Sequence, residues 1–345
     1  LALVTACGAD DGGALATETA STGGSLDGDT SSASSSTTVG PRTTGIDGSS
    51  GPAASTGSGT SATEATTAAD CDAPPLDPAW LVDYQTAIVA QLSGAAEISP
   101  GVTLPDRATP GRRDATRARL LDALDELGLA ASVQDYGEGA NVWAAIPATE
   151  AGGPASEETL VFGAHFDTVP GSPGANDNAT GVAVALSLAR WLGDAPCRRR
   201  NVIVVFLDQE EIGLIGSAAF AAFLVQQALH VVAVHTIDQM GWDADGDRAV
   251  ELERPDPGLL EVYEASAAGL TPAVPLTATQ TGATDHVSFR AAGFDAVGLT
   301  EEFVSGDTTP HYHAPTDTFE TVNFAYLQST TVLVHATFAE LVVAG

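Results

Sequence analysis

Two histidines and five acids stand where loops should follow apolar runs of the chain. They are His165 and Asp167 in GAHFDT, Asp177 in GANDNATG, Glu210 and Glu211 in VVFLDQEE, Asp238 after VVAVHTI, and His313 in TPHYHAPTDTF. Imidazoles and carboxylates form an N/O donor set suited to zinc, and a carboxylate can bridge two ions. His165 and Asp167 are two apart, so on an extended chain both side chains point the same way. His165 could then ligate a metal while Asp167 orients the imidazole. Glu210 and Glu211 point in different directions, so one can bind metal while the other acts as general base toward water at the metal.

Each residue also has an ordinary reading. Asp177 precedes a helical run at 182–192 and could be its N-cap. A Glu-Glu pair at a helix start complements the macrodipole. His165 and Asp167 could be a strand-end histidine beside a solvated aspartate. Asp238 ends a buried run, where an acid needs a partner. Alone, each signal is weak. Together, mostly at strand ends, they converge on a metal-assisted hydrolytic site.

The elements that must position these groups follow from periodicity. Residues 78–95 and 112–127 are amphipathic, with Gly128 as a helix stop. Strand-like runs follow at 131–136 and 141–146. Residues 159–164, 202–207 and 231–234 are short, continuously apolar and rich in β-branched side chains, as strands buried on both faces require. Each is followed by a helix-like segment. This alternation predicts an α/β sandwich of three layers, its sheet mixed or mostly parallel and covered on both sides. Residues 294–299 read as one more strand and 319–343 as a closing helix. Ligands of open α/β sheets bind beyond the carboxyl ends of the strands, where His165, Asp167, Asp208, Glu210, Glu211 and Asp238 collect.

Composition narrows the partners. The 345 residues carry 13 basic against 45 acidic groups, every basic residue is arginine, and the formal charge is -32. That balance excludes a nucleic-acid surface and a polybasic membrane patch. No apolar run has the roughly 18–20 residues of a spanning helix. Residues 1–7, LALVTAC, resemble the end of a bacterial lipoprotein signal, with Val4-Thr5-Ala6-Cys7 as lipobox and Cys7 as the acylated residue. Residues 8–70 are Ser, Thr, Gly and Ala with scattered acids, a composition that cannot bury a core and suits a disordered linker. The expected location is the cell envelope or outside the cell, with the membrane reached only through a lipid on Cys7. In that oxidising setting Cys71 and Cys197 could form a disulfide or stay as two thiols. Residues 71–345 remain as the domain that carries the site, and a monomer is expected.

Taken in order, GAHFDT, GANDNATG, QEEIGLIGS, the acid of TIDQMG, TDHVSF and HAPTDT resemble the di-zinc aminopeptidases of the aminopeptidase Y and bacterial leucyl aminopeptidase type. The resemblance covers roughly residues 78–345. It implies an α/β three-layer sandwich of the zinc-exopeptidase kind, two Zn2+ per chain and peptide substrates with a free N-terminus. By motif, His165 and Asp238 would hold one zinc, Glu211 and His313 the other, and Asp177 would bridge them. Glu210 would be the general base and Asp167 the residue that orients His165. The resemblance also implies a cis Asp177–Asn178 peptide bond.

Some positions depart from the pattern. QTGATDH has no Tyr to serve as oxyanion donor and has Thr284 in place of Ser, so a second oxyanion donor stays unassigned. His311 could compete with His313, but only His313 stands four residues before Asp317 as the pattern has it. His230, His235 and His335 read as packed or surface residues, and His286 as a support of the pocket. Residues 243–247, DADGD, hint at a calcium loop, but the Gly is misplaced and an acidic turn is the better reading. Three rival functions share parts of this pattern. A co-catalytic zinc carboxypeptidase or dipeptidase needs an inserted domain of about a hundred residues, for which the interval from Asp238 to His313 has no room. A glutaminyl cyclase shares the fold, but EEIGLIGS reads as the peptidase version. A non-catalytic zinc-binding module would not need Glu210.

Overall fold

Proline at the first helical position opens both leading helices of the computed structural model, which describes residues 73–150, 153–304 and 306–343. Helix α1 (Pro78–Leu92) is capped by Asp77, whose carboxylate accepts the N–H groups of Ala79 and Trp80. It ends at Leu92 rather than near 95. Helix α2 (Pro110–Glu126) begins two residues before the expected start, and Gly128 follows in the left-handed region (φ 72°). After them come β1 (Ala131–Asp135), β2 (Ala140–Ile146), β3 (Thr159–His165), α3 (Gly181–Asp194), β4 (Asn201–Leu207), α4 (Ile215–Gln226) and β5 (Val231–Asp238). The chain continues through β6 (Val250–Glu253), α5 (Pro257–Gly269), β7 (Leu276–Thr279), α6 (His286–Ala291), β8 (Ala296–Thr300) and α7 (Phe324–Phe338).

The eight strands form one mixed sheet in the order β1-β2-β4-β3-β5-β8-β6-β7. Its middle, β4-β3-β5-β8, is parallel, while β2 and β6 join it antiparallel. All seven residues of β3 are buried. Leu160, Phe162 and Ala164 face one layer with Val182, Leu186, Leu333 and Phe338; Val161 faces the other with Phe220 and Leu224. Apolarity on every position of β3 is therefore the consequence of two covered faces. Between β3 and β4 the chain crosses over one face through α3. Between β4 and β5 it crosses over the other through α4, so a crevice opens at the carboxyl end of β3.

The closing helix is shorter than expected. A single turn at Phe319–Thr321 precedes it, Asn323 then caps α7 by accepting the Tyr326 N–H, and another helical turn runs over Ala339–Val343. The short strand β6 was not legible because its sequence, VELE, alternates valine and leucine with two glutamates; here all four residues are buried. Helices α5 and α6 were not anticipated individually either. Cys197 is buried and disulfide-bonded. Cys71, the partner expected for it, lies outside the described residues, as do the expected lipobox at 1–7 and the linker at 8–70. Among the described residues no helix is long and apolar enough to cross a membrane.

Two histidines are packed into the layers, as their sequence setting suggested, and His230 is exposed. Burial pushes His235 and His335 down to about 3. In the unfolded chain each would titrate near the ordinary value of about 6.5. Below that pH the unfolded state binds protons that the folded state refuses, so stability falls as pH drops from the unfolded toward the folded value. Neither ring nitrogen of His335 has a hydrogen-bond partner among the described residues, and its ring lies over Trp191 at 5.1 Å. His335→Leu is therefore expected to flatten the loss of Tm between about pH 6.5 and 4. Melting curves of both proteins across that range measure it; identical pH slopes would refute the assignment.

Candidate active site

The carboxyl edge of the parallel strands carries the site. His165 ends β3, Glu210 and Glu211 lie in the turn after β4, and Asp238 ends β5. Asp177 sits in the turn Ala175–Thr180 before α3, and His313 lies in the loop before α7. His165 Nε2 is 3.2 Å from Asp238 Oδ1 and 3.3 Å from Asp177 Oδ1. His313 Nε2 is 2.8 Å from Glu211 Oε2 and 3.4 Å from Asp177 Oδ2. The two oxygens of Asp177 thus face two different histidines, each of which has a further acid beside it. The Asp177–Asn178 peptide bond is cis.

Asp177 is not the helix cap that its position permitted. That work falls to Asn178, whose Oδ1 accepts the Gly181 N–H. Asp167 connects the two halves of the site. It lies 3.5 Å from His165 Nδ1, and its oxygens accept the backbone N–H groups of Glu210 and Glu211 at 3.0 and 3.2 Å. Residues at and beside the site are held in unusual backbone geometry. Gln209, Gln239 and His313 all have φ between 52° and 61°. Left-handed geometry at a non-glycine residue costs about 1–3 kcal/mol, and it recurs where function fixes a side-chain direction.

Three supports of the site were not singled out from the sequence. Arg107 is wholly buried and gives its guanidinium to the carbonyls of Phe166, Leu92, Pro173 and Gly174. It clamps the loop from β3 to Asp177, and Gly174 there has φ 65° with no room for a Cβ beside Thr168 and Arg107. Asp317 accepts the N–H groups of Asn176 and Asp177. Glu301 accepts from the Asn176 side chain and from the N–H groups of Gly241 and Trp242. Glu301 directly follows β8, so the strand-end rule that found Asp238 also reaches it. Arg107 gave no signal, because nothing in TLPDRATP marks a charge that will be buried.

Other candidates go elsewhere. Asp208 turns away to the guanidinium groups of Arg113 (2.8 Å) and Arg117 (2.7 Å). His311 hydrogen-bonds Thr316 and meets Trp242 edge-on. His286 packs against Thr284 beneath the cleft. In the acidic turn, the Asp307 carboxylate accepts the N–H groups of Ala244 and Asp245, which fits a turn fastened by a side chain.

The charge balance of the site bears on whether it suits a metal. Burial raises Glu210 and Glu211 far above the ordinary carboxylate range, and the neighbouring acids add to it. Burial likewise raises Asp238. So many acids in one low-dielectric place can ionise together only beside added positive charge. Glu211 Oε1 is buried with no hydrogen-bond partner among the described residues. Within the site, the groups close enough to share one ion are His165-Asp177-Asp238, His165-Glu210-Glu211 and Asp177-Glu211-His313; the exposed acidic turn holds two more, Asp243-Asp245-Asp307 and Asp245-Asp247-Glu302. The donor set fits divalent zinc.

The profile of peptidase family M28 matches residues 141–338. Aminopeptidase YwaD of Bacillus subtilis (strain 168) is 34% identical over 187 residues, which are 52% of this chain and 40% of YwaD. The probable lipoprotein aminopeptidase LpqL of Mycobacterium tuberculosis (strain ATCC 25618 / H37Rv) is 31% identical over 197 residues, 49% of this chain and 39% of its own. The chain thus spans about two fifths of the length of these curated relatives. Among solved structures, BSAP, a zinc aminopeptidase from Bacillus subtilis, superposes with a TM-score of 0.66 at 17% identity, covering 76% of this chain and 95% of that one. The α/β sandwich is therefore a shared fold.

Proposed function

The chain belongs to peptidase family M28, and from that premise we propose that residues 71–345 are a zinc aminopeptidase domain that removes N-terminal residues from peptides. The observation that carries this reading is the shared position of Asp177 between two histidine–acid pairs. His165, Asp177 and Asp238 would hold one zinc, and His313, Asp177 and Glu211 a second. Zinc bound there supplies Lewis acidity toward the scissile carbonyl and the attacking water.

The protein groups do the rest. Glu210 takes a proton from the attacking water and delivers it to the leaving nitrogen. Asp167 keeps His165 and the backbone of Glu210 and Glu211 in one register through its hydrogen bonds. Direction of cleavage follows from charge. A carboxypeptidase clamps a terminal carboxylate with a cation, usually arginine. The cleft at this site is lined by Asp177, Glu210, Glu211, Asp238 and Glu253 and, among the described residues, by no arginine. Arg198 and Arg200, at the other end of β4, are bound to backbone carbonyls and to Glu158. An amine terminus suits the cleft.

The test compares a leucyl anilide with its N-acetyl form in the presence of zinc. The free amine should be cleaved and the acetylated one spared. Preference for N-blocked peptides with a free carboxylate would instead favour the carboxypeptidase rival.

For the remainder of the chain, we propose a monomer anchored through a lipid on Cys7, tethered by residues 8–70 and stapled by a Cys71–Cys197 disulfide. The name of LpqL, a probable lipoprotein aminopeptidase, supports an envelope location. Cys7→Ser in a precursor that includes the signal is expected to move the protein out of the membrane fraction, since a lipid is the only anchor in this reading. Unchanged membrane association would contradict it.

A further inference from the structure

The cleft beside the histidine–acid pairs is lined by two unlike sets of side chains. Phe303 and Tyr312 form one; their rings meet edge-on at 5.3 Å, and Tyr312 also stacks on His313. The other set is polar and includes Thr281, Thr284, Thr300 and Glu253. Glu253 ends β6 and is 1% exposed. Its Oε2 accepts a hydrogen bond from Thr284 Oγ1 at 2.6 Å and lies 3.4 Å from His286 Nδ1.

A carboxylate this deeply buried is almost always paired with a cation. Among the described residues no arginine forms an ion pair with Glu253. Burial pushes His286 down to about 4, so it faces the carboxylate as a neutral ring. Arg254, the next residue, is exposed and lines a different depression with Asp256 and Arg290. Burial also raises the Glu253 carboxyl to about 7, so near neutral pH it holds a proton when no cation is present and is free to ionise when a ligand brings one.

We infer that the cleft selects peptides whose N-terminal residue is lysine or arginine, the side-chain stem lying along Phe303 and Tyr312 and the cation meeting Glu253. This rests on the aminopeptidase reading of the site. A long side chain with an apolar stem and a charged head matches both sets at once. A leucine would leave the carboxylate buried against methyl groups, and an N-terminal glutamate would add a like charge. The formal charge of -32 also draws cationic peptides toward the protein.

The decisive experiment measures kcat/KM for lysyl and norleucyl p-nitroanilides, which share a stem and differ in the ammonium group. Arginyl and citrullyl anilides form a second pair that differs in charge. The cationic member of each pair should be preferred roughly tenfold or more, as a charge-assisted contact implies. In Glu253→Gln, which keeps the shape and an acceptor for Thr284, that ratio should collapse toward one. Equal or better cleavage of the uncharged members by the wild-type protein would overturn the inference while leaving aminopeptidase activity intact. A cationic preference that survives Glu253→Gln would also overturn the role of Glu253. Failure to cleave any free-amine anilide would overturn both the inference and the reading on which it rests.

Discussion

Glu210→Gln lowers kcat by roughly 10²–10⁴, the range set by losing a positioned general base. Metal content should stay unchanged. Among the described residues Glu210 forms no ion pair with His165 or His313, unlike Asp238 and Glu211, so both metals should remain. Glu211→Gln should do the opposite and weaken one metal site, because Glu211 Oε2 lies 2.8 Å from His313 Nε2. The comparison is informative because His165, Glu210 and Glu211 are themselves close enough to share an ion. Metal content measured beside turnover separates the roles. Equal metal loss and equal activity in the two variants would mean that Glu210 is a ligand rather than the base.

The second large effect belongs to Asp177. Its oxygens lie between His165 and His313, so one substitution reaches both halves of the site. Asp177→Asn preserves shape but removes the charge and one acceptor oxygen. Zinc affinity should fall by more than roughly 100-fold, the upper cost of removing a group that merely supports a ligand. Turnover should fall with it. Near-normal activity, or normal binding at one of two sites, would show that the carboxylate is not shared.

Much of this was legible from the order of residues, for identifiable reasons. β3, β4 and β5 announce themselves because strands buried on both faces must be apolar at every position. The short strand β6, paired between β8 and β7, is the counterexample. Its glutamates break the pattern, yet both are buried, and one of them, Glu253, is the group on which the specificity inference rests. His165, Asp167, Glu210, Glu211 and Asp238 could be found from their places at strand ends. Asp177 and His313 lie in loops and acquire meaning only from the other ligands. Local sequence offered no account of Arg107, because its partners are backbone carbonyls of residues as remote as Gly174. Asp208 shows the converse error. It stands among the strand-end acids but turns to Arg113 and Arg117 on α2, a helix far from it in sequence.

Metal stoichiometry tied to activity is the most direct test of the shared-carboxylate site. The chain should be stripped by chelator and long dialysis, then titrated with zinc while leucyl anilide cleavage and bound metal are read together. The shared-carboxylate site predicts no turnover in the stripped protein and restoration as zinc approaches two ions per chain. Full activity in excess chelator, with no metal bound, would contradict it.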